Sequence, residues 1–359
     1  MSYQYTHFIK ENIAPKGTMQ IGVYNGNKKV CSIPLGRLTP PSATKRYSFC
    51  ALSDIHLTYD TANADFQRAL TFAQSNCDFT VVAGDLTDTG ADESQMALFK
   101  SHVDTYAKTK PVYAITGNHE NYNGYCDKYL EKYTGHPLYY SFTKGNDVFI
   151  MVGHYGSWHD TKWWSNETWS VAELQWLYET LEANRNKRCF VFTHVLPYAH
   201  GVGNPNNLYG QRSSAARLWE VNDGGIGQLF IRLLCHYKNT ILFHGHSHTR
   251  FKLQEDDQKA NYSSEDGYRS VHIPSLSVPR DILADGTALT DEFAESEGYI
   301  VDVYDNYIVL NGRDFIDNDH DGNILPIATY KIDTTPVEIE AGTFTDQTGI
   351  LQIKGGSHE

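Results

Sequence analysis

The sequence lacks several features that define whole classes of protein. None of its six cysteines forms a CxxC pair, and several fall inside predicted strands or helices, where an isolated cysteine behaves as a small hydrophobic residue. No apolar run is long enough to span a bilayer, and the first residues lack a basic region followed by an apolar run. We therefore expect reduced structural thiols, no signal peptide, no membrane association and a cytoplasmic location.

Basic residues are also scarce. The chain of 359 residues has 30 Lys and Arg against 43 Asp and Glu, a formal net charge of −13. An acidic surface argues against a protein that grips nucleic-acid phosphates, so we do not expect a nucleic-acid partner. A small anionic substrate is still compatible with this charge, because bound divalent cations can invert the local field.

The organisation of the chain predicts three parts. Residues 1–45 form a small N-terminal β extension, since two short β-prone runs flank Asn25-Gly26, a strong hairpin turn signal. Residues 46–332 form the main domain, and residues 333–359 form a polar C-terminal tail. The sequence leaves open whether the extension is an appended module or a pair of edge strands, and it leaves the oligomeric state open.

The main domain begins as an alternation of strands and helices. Predicted strands at residues 46–52, 79–83 and 112–116 are separated by helices with apolar residues at helical spacing. This β-α-β-α-β order predicts a parallel sheet with right-handed crossovers. After residue 268 the pattern changes, and we predict antiparallel strands at residues 269–273, 298–304, 307–312 and 327–332.

Five predicted strands end in residue types that bind metals. The buried strand before Gly84 and Asp85 would deliver a carboxylate to the carboxyl edge of the sheet, where open α/β sheets place their ligands. In chain order the five strand-end motifs are Asp54-x-His56, Gly84-Asp85, Gly117-Asn118-His119-Glu120, His194 and Gly245-His246-x-His248. Alternation along an extended strand would put the two residues of each x-spaced pair on the same side.

The chemistry of these residues indicates a metal site. Carboxylates, an amide oxygen and imidazoles together suit borderline divalent ions such as Mn, Fe or Zn better than calcium. Each motif also has an ordinary interpretation: Asp54 could cap a helix, Asn118-His119 could form a turn, and His194 could be a core histidine. Five such motifs in order after strands outweigh these separate interpretations.

The ordered set resembles the calcineurin-like metallophosphoesterase superfamily, in particular its cyclic nucleotide phosphodiesterase and purple-acid-phosphatase branch. The resemblance covers about residues 54–248. It implies an α/β fold of two packed mixed β-sheets flanked by helices, a four-layer α-β-β-α sandwich with a dinuclear metal site at the strand ends.

The resemblance also implies a role for each matching residue. The first of two divalent ions would be held by Asp54, His56, Asp85 and His248. The second would be held by Asp85, Asn118, His194 and His246, so that Asp85 bridges them. A metal-bridging hydroxide would attack the phosphate, and His119, oriented by Asp88, would be the general acid on the leaving group. The identity of the metals stays open among Mn, Fe and Zn.

A second group of residues is predicted to contact substrate, with ordinary polar roles as the alternative. They are Asn121, Tyr122, His154, His200 and Arg250.

The function expected from this resemblance is hydrolysis of small phosphomonoesters or phosphodiesters, with cyclic nucleotides as one diester class. A protein phosphatase is disfavoured because Asp88 is followed by Thr89-Gly90, where that subgroup usually has Arg-Gly. The alternative is a binding or structural component of a larger assembly that carries a tethered phosphoesterase domain. The N-terminal hairpin and the β-prone tail motivate that alternative.

Overall fold

The computed structural model separates the chain into two compact units, residues 1–44 and 45–359. It describes residues 20–25, 28–34, 44–58, 60–90, 92–121, 127–155, 168–195, 226–251, 262–263, 267–282, 289–291, 295–316 and 324–353. In the first unit, β1 (Gln20–Asn25) and β2 (Lys28–Pro34) form an antiparallel hairpin.

The second unit contains the remaining helices and strands. Its helices are α1 (Asp60–Asn76), α2 (Glu93–Tyr106), α3 (Asp127–Thr134), α4 (Val171–Ala183) and α5 (Ile226–His236). Its strands are β3 (Tyr47–Leu52), β4 (Phe79–Ala83), β5 (Val112–Ile115), β6 (Tyr139–Lys144), β7 (Asp147–Val152), β8 (Cys189–Phe192), β9 (Thr240–His244), β10 (Tyr262–Ser263), β11 (Ser270–His272), β12 (Arg280–Ile282), β13 (Leu289–Asp291), β14 (Glu297–Val303), β15 (Tyr307–Asp314) and β16 (Ile324–Asp333). Within these described ranges, no helix is both long enough and apolar enough to cross a membrane.

Two six-stranded mixed sheets form the centre of this unit, as the sequence predicted. One has the order β16-β15-β14-β3-β4-β5, and the other has the order β10-β11-β9-β8-β7-β6. In the first sheet, β3, β4 and β5 are parallel at one end, and β14, β15 and β16 complete it through antiparallel pairs. In the second sheet, the central strands are parallel, and β6 and β10 pair antiparallel at its edges. The prediction for residues 269–273 was wrong in one respect: β11 pairs parallel to β9. A long connection allows a parallel return, and strand alternation carries no information about direction.

The two sheets pack face to face, and helices cover their outer faces. Along β3, Phe49 and Ala51 point into the core between the sheets, while Cys50 and Leu52 face the helices α1 and α2. All six residues of β3 are buried, as expected for a strand covered on both faces. Helices α4 and α5 cover the second sheet in the same way. The result is the α-β-β-α sandwich that the sequence predicted.

The chain after β16 also packs on this sandwich. Three apolar side chains of the C-terminal segment, Ile339, Phe344 and Leu351, are buried in the cluster that contains α4 and α5. The side chain of Asn239 donates to the carbonyl oxygen of Val337 at 2.7 Å and accepts from its N–H at 2.8 Å. The described part of the tail, residues 334–353, therefore belongs to the folded unit.

Candidate metal centre

The five strand-end motifs meet at one edge of the sandwich. The motifs after β3, β4 and β5 come from the first sheet, and those after β8 and β9 come from the second. Backbone hydrogen bonds join neighbouring motifs: the N–H of Asp54 donates to Gly84 at 3.1 Å, and the N–H of Gly245 donates to His194 at 3.0 Å. The fold therefore brings together side chains that lie almost 200 positions apart in sequence.

The backbone at this edge is strained at the predicted ligands. Five non-glycine residues in the described part of the chain have positive φ, and all five are predicted ligands. They are Asp54 at 54°, His56 at 51°, Asp85 at 49°, His246 at 75° and His248 at 59°. Asp and His tolerate this region better than most residues, and such strain persists where the surrounding structure over-determines it.

This backbone corrects the argument from strand alternation. Strands β3 and β9 end at Leu52 and His244, before the x-spaced pairs begin. The paired side chains converge because the chain turns through left-handed conformations after each strand. Periodicity alone could not reveal this, because Asp and His also occupy ordinary extended backbone.

Two glycines allow the motifs to approach closely. Gly84 has φ of 87°, and a Cβ there would lie 2.6 Å from the Cβ of His194. A Cβ on Gly245 would lie 2.5 Å from Oδ2 of Asp54. Larger residues at either position would push two ligand-bearing loops apart.

The first ligand group contains Asp54, His56, Asp85 and His248. One ligand atom from each lies within 4.8 Å of the others, and all four residues are buried. Nε2 of His248 is 3.0 Å from Oδ1 of Asp54 and 3.2 Å from Nε2 of His56. These are the four residues that the resemblance assigned to the first metal.

The second ligand group contains Asp85, His194 and His246, again within 4.8 Å of one another. Nε2 of His194 lies 3.0 Å from Oδ2 of Asp85. Asn118, the fourth predicted ligand, is buried and directly precedes His119 in the motif after β5. Asp85 belongs to both groups, as a bridging ligand must.

The buried atoms at the centre have the chemistry that a cation requires. Oδ1 of Asp54, Oδ2 of Asp85 and Nε2 of His194 are buried, and although other ligand atoms lie 3.0 Å away, none of the three makes a well-aligned hydrogen bond among the described residues. The other oxygens are engaged: Oδ1 of Asp85 accepts from the N–H of His119 at 2.9 Å, and Oδ2 of Asp54 accepts from the N–H of His246 at 3.0 Å.

The carboxylate oxygens of Asp54 and Asp85 that make no hydrogen bond are the ones that face the centre of the site. Leaving buried polar atoms unpaired costs about 1–3 kcal/mol each, which bound cations would offset. Because Oδ1 of Asp85 accepts a backbone N–H, Oδ2 is the oxygen of this carboxylate that is left without a hydrogen bond among the described residues.

Backbone carbonyls fix the orientation of two histidines. Nδ1 of His194 lies 2.8 Å from the oxygen of Ala83, and Nδ1 of His248 lies 2.9 Å from the oxygen of Val278. In each ring the Nδ1–H donates to the carbonyl, which leaves Nε2 facing the carboxylates. Such outer hydrogen bonds are typical of metal-binding histidines.

Burial and neighbouring charges shift the pKa values of the ligands in this site. Burial disfavours the charge of Asp85, but the surrounding histidines, first of all His194, hold its pKa well below the usual range. Burial lowers the pKa of His194, yet the charges of Asp85 and Asp54 outweigh it and raise that pKa to about 9. Burial and the charge of His194 together lower the pKa of His246 to about 3.

His119 lies beside the ligand groups without belonging to either. Its side chain is 22% exposed, whereas those of Asp54 and Asp85 are at most 1% exposed. Nδ1 of His119 lies 2.9 Å from the carbonyl oxygen of Asp88 and 3.4 Å from its carboxylate. Burial opposes its protonation, but Asp85 and Asp88 raise the pKa of His119 to about 9. The ring is therefore held, protonated and accessible.

Asp88 contacts His119, but not in the way that the sequence suggested. The shorter contact uses the main-chain oxygen of Asp88, and the carboxylate lies between His119 and His56, 3.6 Å from Nδ1 of His56. Asp88 does not cap the following helix, since the N-cap of α2 is Asp92.

The residues predicted to contact substrate have different surroundings. The side chain of Asn121 is buried and donates to the carbonyl oxygen of His154 at 2.9 Å. Arg250 is buried in an ion pair with Glu295. Tyr122 and His200 lie outside the described residues. A substrate contact for any of these residues stays a prediction.

Glu120 ends one of the motifs, but no role was predicted for it from the sequence. This side chain is fully buried, and it accepts from the N–H of Thr87 at 2.9 Å and from the N–H of Gly117 at 2.6 Å. It therefore joins the loop after β4 to the loop after β5. The signal that could have predicted this role is the presence of a charged residue inside a strand-end motif.

Comparison with known proteins agrees with this geometry. Residues 47–250 match the sequence profile of the calcineurin-like phosphoesterase family. The chain is similar to purple acid phosphatase PPD1 from yellow lupin (Lupinus luteus) seeds, with a TM-score of 0.52, 15% identity, and coverage of 80% of this chain and 53% of the lupin chain. No curated protein sequence gives a significant match.

A second similar structure is GAP50, described as the anchor in the inner membrane complex of Plasmodium. Its TM-score is 0.50 at 13% identity, with coverage of 86% of this chain and 93% of GAP50. At these identities the two structures show the fold alone, and this chain spans about half the length of the lupin enzyme. The family profile matches more than half of the chain, and the protein therefore belongs to the calcineurin-like phosphoesterase family.

Proposed function

We propose that this protein is a phosphoesterase that requires two divalent metal ions and hydrolyses small phosphomonoesters or phosphodiesters. The observation that carries the proposal is the membership of Asp85 in two ligand groups at one edge of the sandwich. When bound, two ions neutralise the phosphoryl oxygens and make a nucleophile available near neutral pH. The mixed carboxylate and imidazole ligands favour Mn, Fe or Zn.

His119 is proposed as the general acid. Its Nδ1 is held by Asp88, so Nε2 is the nitrogen that can give a proton to the departing oxygen. Its pKa of about 9 keeps the ring protonated at neutral pH, and its 22% exposure leaves it accessible to a substrate. A general acid of this kind contributes about 10²–10⁴ in rate.

The acidic surface supports a small substrate. A net charge of −13 would repel a long polyanion such as nucleic acid, whereas a single phosphate group meets mainly the local field of the site. Small monoesters and diesters, including cyclic nucleotides, therefore fit better than a polymer.

Hydrolysis of a paired aryl phosphate monoester and diester, with and without Mn²⁺, tests this proposal. Wild type should cleave at least one ester, and a chelator or Asp85→Asn should abolish the activity. Asp92→Asn is the matched control, because Asn also caps helices well and Asp92 lies outside both ligand groups. Metal-independent cleavage, or full activity of the Asp85→Asn variant, would contradict the proposal.

A second candidate function is a binding or structural component of a larger assembly. The hairpin unit of residues 1–44 favours it, and GAP50, which has this fold, is described as an anchor. Sedimentation analysis of the full chain and of a chain that starts at Lys45 distinguishes the two. Assembly that is lost with residues 1–44, without turnover of either ester, would support the second candidate over the first.

A further inference from the structure

The loop after β11 contacts the backbone of the motif that supplies Asp54 to the first ligand group. Here Oγ of Ser275, which is completely buried, donates to the backbone carbonyl of Asp54 at 2.9 Å. The next residue, Leu276, donates its N–H to the carbonyl of Ser53 at 3.0 Å. Two successive residues of this loop therefore hold the backbone of the motif that supplies Asp54.

The same hydroxyl also reaches the other side of the ligand group. Oγ of Ser275 accepts from the N–H of Val278 at 2.9 Å, and the carbonyl of Val278 accepts from Nδ1 of His248 at 2.9 Å. Nε2 of His248 in turn lies 3.0 Å from Oδ1 of Asp54. These contacts form a closed circuit from Asp54 through Ser275, Val278 and His248 back to Asp54.

The circuit explains how two strained ligands can be held together. Asp54 and His248 both have positive φ, and such backbone persists only where its surroundings over-determine it. The serine hydroxyl supplies one donor and accepts as well, so a single atom restrains both ligands at once. Alanine at this position would remove both restraints, because the carbonyl of Asp54 and the N–H of Val278 would each lose the hydrogen bond to the Ser275 hydroxyl.

We propose that Ser275 is a positioning residue that sets the relative orientation of Asp54 and His248 for one of the two metal ions. The inference rests on the proposed function in one respect, namely that the site binds two metals. It goes further by assigning a role to a serine outside the five motifs. Loss of outer hydrogen bonds around metal ligands typically weakens metal affinity by about 10–100-fold.

The chain offers a matched control two residues away. Ser277 lies in the same loop and is 1% exposed, but its Oγ has no hydrogen-bond partner among the described residues. Ser277→Ala therefore removes the same atom from the same loop without breaking the circuit. Ser275→Cys is a milder change than Ser275→Ala, because a thiol is still a weak donor and acceptor.

Calorimetric titration with Mn²⁺, supported by electron paramagnetic resonance, tests the inference. Ser275→Ala should weaken one of the two sites by about 10–100-fold, so that limiting Mn²⁺ gives a mononuclear rather than a coupled signal. Ser275→Cys should fall between Ser275→Ala and wild type, and it replaces Ser275→Ala if that variant does not fold. Ser277→Ala should match wild type.

Equal affinities for the Ser275 variants and Ser277→Ala would overturn the positioning role while the dinuclear site stands. Failure of the wild type to bind Mn²⁺ would instead overturn the proposed function, and the positioning role with it.

Discussion

The ring of His119 is oriented chiefly by a main-chain atom: its Nδ1 lies 2.9 Å from the carbonyl oxygen of Asp88 and 3.4 Å from the carboxylate of the same residue. Replacing the Asp88 side chain keeps the shorter contact. It removes only the hydrogen bond to the Asp88 carboxylate, which helps to raise the pKa of His119. The two residues should therefore differ greatly in their importance for catalysis.

We expect His119→Gln to lower kcat by about 10²–10⁴ for esters with poor leaving groups. Asp88→Asn should lower it by no more than about tenfold, the equivalent of one hydrogen bond. The measurement is steady-state hydrolysis of phosphate esters by both variants at saturating Mn²⁺. Equal losses in the two variants would show that the carboxylate, rather than the carbonyl, controls the ring.

A series of leaving groups tests the role of His119 as an acid. Departing groups of low pKa need little protonation, so the deficit of His119→Gln should shrink as the leaving group improves. The wild type should show a weaker dependence on leaving-group pKa than the variant does. Parallel dependences would indicate that His119 positions substrate instead of donating a proton.

Glu120 should be important for stability, because it joins the loops after β4 and β5. Glu120→Ala removes the acceptor for the N–H groups of Thr87 and Gly117 and for the hydroxyl of Thr87. We expect the free energy of unfolding to fall by at least about 3 kcal/mol, measured by urea denaturation. Glu131→Ala on the exposed face of α3 is the control and should change it by less than about 0.5 kcal/mol. A similar loss in both variants would contradict the role given to Glu120.

Stability should depend on pH through Glu173, a buried carboxyl in the capping box at the start of α4. Burial raises its pKa well above the ordinary value of 4.5, so the folded protein binds this proton more tightly than the unfolded chain. The stability contributed by the protonated form is complete below about pH 4.5 and is lost as pH rises through the folded pKa.

Glu173→Gln tests this directly, because glutamine also completes a capping box and cannot ionise. In urea denaturation of metal-free protein, the variant should match wild type at pH 4 and exceed its unfolding free energy at pH 8. Each unit by which the pKa is raised corresponds to about 1.4 kcal/mol. A wild type that is the more stable protein at pH 8 would contradict the prediction.

The sequence was sufficient to predict the sandwich and the convergence of the motifs. Buried β-prone runs that end in Gly-Asp or His-x-His reveal both the strands and their functional edge, because parallel strands present their carboxyl ends together. The same logic brought Asp54 and His248 together, although nearly 200 residues separate them. Element order alone predicted a parallel sheet, and the two-sheet sandwich was implied by the resemblance of the ordered motifs to the calcineurin-like family.

Other features had no sequence signal. The left-handed backbone at Asp85 and His246 follows from how loops from two sheets pack, and neither residue type requires it. The role of Ser275 depends on a loop after a strand of only three residues, β11, where no periodicity can be recognised. Contacts made by main-chain atoms, such as the carbonyl of Asp88, are independent of side-chain identity and cannot be predicted from it.

The central claim is that Asp85 lies between two metal ions, and anomalous diffraction from crystals grown with Mn²⁺ tests it most directly. We expect two anomalous peaks about 3.5–4 Å apart, one in each ligand group, with the carboxylate of Asp85 between them. Crystals of the Asp85→Asn variant should lose at least one peak. A single peak in the wild type, or two peaks that Asp85 does not bridge, would show that Asp85 is not a bridging ligand.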